Sequence, residues 1–356
     1  MGTSEVSERI ARLERPANRP TIFGKSNVFC PGTGPTRRYR SLDELDFAIF
    51  KSIEYRPFGD HSGDLSRLNP WVIAKKVGAD GNTVKQRLAK MKKSGFIQYF
   101  QIYPNFRLLG MHGTAYAFDI PDVLQKREAI EKCALVDGVL EIHNFIGSYI
   151  CIDFTYLDDL DEGRRLQLFR SLTHCEAPER FYERTMPPVD IELTSTDWRI
   201  IKALRYQAFK PLSAVARDLG LSVKTVRRRF DRMAQNNAII IVPIVNPADI
   251  PNTITHVILL YPAPERREEV LRQALTMFKD SCFLARTDPP GNAMMALAAR
   301  TLSETEENLI KARTIDGMRD AKLLVLREIR EYTQWVDSAI DRKIAETART
   351  GTPAGA

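Results

Sequence analysis

Residues 211–233 read PLSAVARDLGLSVKTVRRRFDRM, two short helical segments about a glycine, the second loaded with arginine. Residues 69–91, NPWVIAKKVGADGNTVKQRLAKM, repeat that pattern 142 positions earlier. Ala74, Gly78, Thr83, Val84, Arg87, Leu88 and Met91 align with Ala216, Gly220, Thr225, Val226, Arg229, Phe230 and Met233, alike except at Leu88/Phe230. Each stretch has a small residue where two helices approach, a glycine at the turn, and apolar residues at i, i+4 and i+7 of the second helix. Both read as helix-turn-helix units.

The repeat extends outward in both directions. SLDELDFAIFKSI (41–53) and LTSTDWRIIKALRY (193–206) are amphipathic helices that open each unit, with Ser41 as a candidate N-cap for the first. Asn69 and Pro70 supply a cap and a first-turn proline for the next helix. Asp46 to Gly78 spans 32 positions and Asp197 to Gly220 only 23, so the first copy carries nine extra residues, placed in the loop around His61. GFIQYFQIYP (95–104) and NNAIIIVPIVNP (236–247) follow as β-formers, each expected to fold into a short strand pair, the wing of a winged helix. After each wing the order is β-α-β-β-α-β, the ferredoxin-like pattern, with Gly147 and Gly291 marking the same turn 144 positions apart.

The expected fold is therefore α+β, with two winged helix-turn-helix domains alternating with two ferredoxin-like βαββαβ domains. The expected boundaries are a basic tail at 1–40, winged helix-turn-helix 1 at 41–105 and ferredoxin-like domain 1 at 106–190. Winged helix-turn-helix 2 follows at 191–247, ferredoxin-like domain 2 at 248–330, and a closing helix and tail at 331–356. Tyr332, Trp335, Val336 and Ile340 share one side of that helix, which is expected to pack on the second sheet or on another subunit.

Length and composition agree with this. A chain of 356 residues suits two to four domains. Lys plus Arg exceed Asp plus Glu by 52 − 45 = 7, compatible with a polyanionic partner. Arg37, Arg38 and Arg40 close the proline-punctuated tail, either as an extension or as an arm lying along phosphate. No stretch has the length and apolarity of a membrane span, and five scattered cysteines without a CxxC pair fit reduced thiols in a cytoplasmic protein without a metal site.

With Val226 set inward, a helical wheel turns Lys224, Arg228 and Arg232 outward, with Arg227 on the flank. The same wheel turns Asn82, Gln86, Lys90 and Lys93 outward in the first copy, with Lys85 flanking. With Ser222, Thr225 and Thr83 these residues form the candidate DNA-binding set. Arginine and lysine suit guanine edges and phosphates, and asparagine and glutamine suit adenine. Arg87 and Arg229 lie partly inward, where they could form a salt bridge within the domain or clamp a phosphate.

LDxxD opening a helix, ARDLGLSVKTVRRR at 216–229, a short wing ending in Asn-Pro and the β-α-β-β-α-β module resemble the Lrp/AsnC family of prokaryotic regulators, in a tandem version covering residues 41–330. The resemblance implies double-stranded DNA as partner. It also implies assembly through the ferredoxin-like modules, as a homodimer or as an intrachain pseudo-dimer, and the sensing of a small-molecule effector. The family's effector region carries a glycine followed three positions later by aspartate; here Gly147 leads to Ile150 and Gly291 to Met294, and Asp153 lies too far along. The rival expectation is a tetrapyrrole (sirohaem-type) decarboxylase, since some such enzymes resemble this fold. His112, His143, His174 and His256 would supply its chemistry. No Ser/His/Asp, paired-carboxylate, metal-ligand or phosphate-loop signature is present, so neither catalytic residues nor a cofactor are assigned.

Overall fold

The computed structural model describes residues 43–53, 70–93, 96–184, 186–245, 253–287 and 292–350. The tail, Ser41, Asn69, His61 with its loop, the Asn-Pro end of the second wing and Gly291 lie outside the described residues.

The first helix-turn-helix unit comprises α1 (Glu44–Ile53), α2 (Pro70–Val77) and α3 (Gly81–Lys93), followed by β1 (Ile97–Pro104). Its partner comprises α6 (Ser195–Leu204), α7 (Leu212–Leu219) and α8 (Val223–Gln235), followed by β6 (Ile239–Val245). Between them lies the first module: β2 (His112–Asp119), α4 (Val123–Cys133), β3 (Val139–Phe145), β4 (Tyr149–Tyr156), α5 (Asp159–Thr173) and β5 (Glu179–Arg184). The second module has the same order: β7 (Ile254–Pro262), α9 (Arg267–Met277), β8 (Cys282–Thr287), β9 (Ala293–Ala299), α10 (Leu302–Arg313) and β10 (Met318–Glu331). The chain closes with α11 (Gln334–Thr350).

The wings depart from expectation. Each is one continuous strand, and β1 pairs with β6 of the other copy, antiparallel from Ile97 opposite Val245 to Pro104 opposite Ile239. The reason is local: IQYFQIYP contains no two-residue turn that would fold it back on itself. An unpaired strand must find a partner, and the duplicated copy offers one. Pro243 is tolerated because each strand of a two-stranded ribbon has a free edge.

The modules also pair across the duplication. One eight-stranded sheet runs in the order β5-β2-β4-β3-β10-β7-β9-β8. Strand β10 joins the halves by changing partner. Its residues Met318 to Val325 face β7, and Leu326 to Glu331 face β3. It is accordingly long, and the polar residues Arg319, Asp320, Arg330 and Glu331 flank the ladder or take part in it.

Two cores lie beneath the helices, around Phe118, Ile152 and Phe169 in the first module and Ile258, Leu260 and Val270 in the second. A third, with Ala117, Phe145, Cys151, Leu259, Met294 and Leu326, fills the opposite, inner faces of the two half-sheets. Each fully buried Ile, Leu or Phe there contributes about 1.5–3 kcal/mol.

Helix α11 docks neither on the second sheet nor outward. Val336 and Ile340 join the core that holds Trp198, Ile201 and Leu204. Trp335 Nε1 donates to the carbonyl of Val139 at 2.9 Å. Because β10 has already carried the chain into the first half of the sheet, the helix starts beside the helix-turn-helix layer. Arg205, 1% exposed, stands at that junction. Its Nη1 donates to the Ile102 carbonyl at 2.9 Å, its guanidinium lies 4.3 Å from the Tyr103 ring centre, and Asp337 is its ion partner at 3.3 Å.

Candidate nucleic-acid interface

In both units a glycine with positive φ makes the turn. Gly78 and Gly220 each sit at +66°, a left-handed conformation that costs an L side chain energy. The amides of Ala79 and Leu221 then reach back to the carbonyls of Ala74 and Ala216, at 3.0 and 2.9 Å. Helix α8 starts on Ser222, whose Oγ accepts from the Thr225 amide at 3.1 Å and lies 2.9 Å from Thr225 Oγ1. In α3 that capping role belongs to Asp80, whose Oδ1 accepts from the amides of Asn82 and Thr83 at 2.8 and 3.2 Å. Ser222 and Thr225, placed by sequence among the DNA contacts, are thus engaged in starting the helix.

The alternatives for Arg87 and Arg229 resolve alike in both copies. Arg229 Nη1 donates to Asp197 Oδ1 at 2.9 Å and to Thr194 Oγ1 at 3.0 Å. Asp197 is fully buried and also closes the capping box of α6 on Thr194. Arg87 Nη1 donates to Asp46 Oδ1 at 3.1 Å and also pairs with Asp43. Burial opposes charge on Asp43, yet the hydrogen bond from Arg87 holds its carboxyl below the usual range. The acidic residues of the LDxxD motif in the first copy, and Asp197 in the second, therefore pin the second helix of each helix-turn-helix to the first helix of its domain. Asp43 exchanges capping hydrogen bonds with Asp46 at the start of α1.

With the stripe and the pin turned in, the remaining positions face solvent. Lys224, Arg227 and Arg228 are exposed on α8. Arg232 is only partly available: its side chain is 44% exposed, and Nη2 donates to the Glu192 carbonyl at 2.9 Å. On α3, Asn82, Lys85, Gln86, Lys90 and Lys93 are exposed, with Thr83 half-buried. Exposed Lys92 adds to a cationic C-terminal end. The sequence reading also missed Trp71, which is 55% exposed. Its ring lies against the start of α3 so closely that a Cβ on Gly81 would meet it at 1.9 Å. The equivalent positions in the other copy are Ser213 and Val223.

The four histidines do not converge. His143 lies on the inner face of the first half-sheet, 3.1 Å from Glu141. His256 is fully buried among the second module's strands, beside Asn308 at 3.4 Å. His112 stacks on Tyr156 at 5.5 Å, and His174 ends α5 in a left-handed conformation. Among the described residues no group of three or more His, Cys, Asp or Glu could hold a metal ion, and no helix is long and apolar enough to cross a membrane.

Comparison with known proteins bears on this geometry. The AsnC-type helix-turn-helix domain matches residues 193–234, from the start of α6's cap to the end of α8. An uncharacterized HTH-type transcriptional regulator of Pyrococcus horikoshii is 32% identical over 111 residues, covering 30% of this chain and 68% of the relative. A second, from Pyrococcus abyssi, is 31% identical over 111 residues, again 30% of this chain and 68% of the relative. In fold, the crystal structure of the siroheme decarboxylase NirDL is similar over 86% of this chain and 100% of that one, with TM-score 0.52 and 15% identity. That likeness shows a shared architecture. The matched helix-turn-helix and the extent of the Pyrococcus relatives place this chain in the Lrp/AsnC family of DNA-binding transcriptional regulators.

Proposed function

We propose that the chain is a sequence-specific regulator in which both helix-turn-helix units of one molecule engage double-stranded DNA. The observation that carries this reading is the exposed row Lys224, Arg227 and Arg228 on α8, held outward while Arg229 is pinned to Asp197. N-terminal residues of such a helix meet base edges in the major groove, and the surrounding cations neutralise phosphates. Antiparallel pairing of the equivalent strands β1 and β6 supports a local two-fold relation between the units. A dimer obtains that relation from two chains. This chain would act as an intrachain pseudo-dimer, reading two half-sites in inverted orientation. The glycine-aspartate spacing of an amino-acid effector site is not met at Gly147, so the modules serve assembly first.

The test is fluorescence anisotropy of the full chain on genomic operator fragments across salt. Affinity should fall about tenfold or more for a fourfold rise in salt; a flat response would overturn the reading. The decarboxylase alternative would draw on histidines and arginines in one cleft, and the four histidines do not converge. A tetrapyrrole absorption band on the purified protein, with release of carbon dioxide, would move the assignment to that enzyme.

A further inference from the structure

The eight-stranded sheet is joined at one place and only abutted at another. Strands β3 and β10 share a ladder, whereas β5 and β8, the two ends of the strand order, lie alongside each other without one among the described residues. Beside that unzipped seam the inner face turns polar. Asp153 faces Glu141 across β4 and β3, Ala115 stands opposite both Asp153 and Tyr182, and Arg184 ends β5.

The carboxylates there already have partners. Asp153 is fully buried; its Oδ2 accepts from Tyr182 Oη at 2.6 Å and pairs with Arg184. Glu141 lies 3.1 Å from His143 Nε2 and 3.6 Å from Arg184 Nη2. Across the seam, Arg286 of β8 holds its guanidinium 6.0 Å from the Tyr182 ring centre. Among the described residues no ion pair or hydrogen bond satisfies it, and its Nη1 is buried without a partner, as are Arg184 Nε and Asp153 Oδ1. The charge of Arg286 acts on Glu141, yet a buried guanidinium N–H left without an acceptor is costly. Such groups mark an ion or ligand site. The side chains of Arg184 and Glu141 remain 21% and 23% exposed, so the cluster opens to solvent.

We propose that Arg286, with Arg184, binds the oxyanion of a small molecule, a carboxylate or a phosphate, between β8 and β5. Arg286 supplies its unpartnered Nη1–H, Arg184 Nε a second donor, and Asp153 Oδ1 accepts from a donor group on the same ligand or from a water beside it. The bound anion stands where a strand ladder stands on the other side and ties the second module to the first. The site does not depend on the DNA-binding reading, and its test does not use DNA.

Acetate and inorganic phosphate are titrated separately into the full wild-type chain, with chloride holding ionic strength constant. Thermal melting and amide hydrogen exchange are the readouts. At least one of the two should raise the melting midpoint saturably and slow exchange in Glu179–Arg184 and Cys282–Thr287. An acetate response assigns a carboxylate ligand, and a phosphate response a phosphate-bearing one. Arg286→Gln should weaken that response at least tenfold. The proposal is overturned if both anions act like chloride, if protection appears away from these strands, or if Arg286→Gln responds as wild type does. Should the variant fail to fold, the wild-type exchange map decides.

Discussion

At the first turns of α8 the exposed side chains are Lys224, Arg227 and Arg228; at the same places on α3 they are Asn82, Lys85 and Gln86. Beneath them the two units agree closely. Both turn on a glycine at +66°, and both lock an arginine onto a buried aspartate. The two units keep one scaffold and differ in the side chains they expose. The first unit is not less cationic, since α3 carries no acidic residue and exposes Lys90, Lys92 and Lys93 near its end. Under the proposed function its charge would meet phosphates and its amides would meet bases. In the second unit arginine would take the base-facing places. The units should therefore prefer different half-sites, adenine-containing under α3 and guanine-containing under α8.

The largest effect should come from breaking the shared scaffold. Asp197→Ala leaves Arg229 without its carboxylate and should cost about 3 kcal/mol, the scale for removing one partner of a buried pair. Asp46→Ala should cost less, because Arg87 keeps Asp43. Urea unfolding of the two variants measures the difference; equal losses would mean the pins are not what distinguishes the two domains.

Next come the reading surfaces. Arg228→Ala should lower operator affinity by about 1–3 kcal/mol and relax the choice at one guanine, as loss of a bidentate base contact does. Gln86→Ala, its counterpart, should act on the other half-site and by less. Binding titrations on operators altered one half-site at a time separate the two, and identical profiles would remove the proposed division.

A smaller effect probes the aromatic found only in the first unit. Gly81→Ala drives a methyl into the Trp71 ring and should destabilise by about 1–3 kcal/mol, as overpacking does. At the equivalent position Val223→Ala, 43% exposed, should be close to neutral. Thermal melts of both variants check this contrast.

The last effect, read as a pH dependence, concerns the layer between the units and the sheet. Burial, then the charge of Glu141, pushes the Glu331 carboxyl up to about 8. A raised value in the folded chain means stability present in full below the ordinary carboxylate range and lost as pH rises toward 8. Glu141 runs the other way: burial opposes its charge, but His143 and Arg184 hold it at about 2, so its share is lost only in acid. Glu331→Gln should therefore gain more stability over wild type near pH ~9 than near pH ~5. A gain independent of pH would contradict that.

Element order was legible because period and turn chemistry act locally. The ferredoxin-like strands and helices follow the expected β-α-β-β-α-β order in both modules. What was hidden is pairing between copies. Nothing within IQYFQIYP or MRDAKLLVLREIRE names a partner some 140 or 180 positions away, so β1 read as a strand pair and the change of partner along β10 was not foreseen. The outward residues of α3 and α8, Arg232 among them, followed from the wheel, but the tie of Arg232 to the Glu192 carbonyl did not, because that carbonyl comes from the chain before α6. Trp71 was passed over since its neighbour, Gly81, carries no apolar signal. The inner-face cluster was scattered over four strands and both modules. Its trace was a charged residue at an inward position of apolar strands, Glu141 in VLEIHNF and Asp153 in YICIDFTY.

The central claim, that one chain reads DNA through both units, is tested most directly by selecting bound sequences from a random duplex pool with the purified full chain. Wild type should enrich a two-part motif with unlike halves, and Arg228→Ala should lose the guanine-containing half while keeping the other. Recovery of no motif above the starting pool, or of one half-site that survives Arg228→Ala unchanged, would contradict the account.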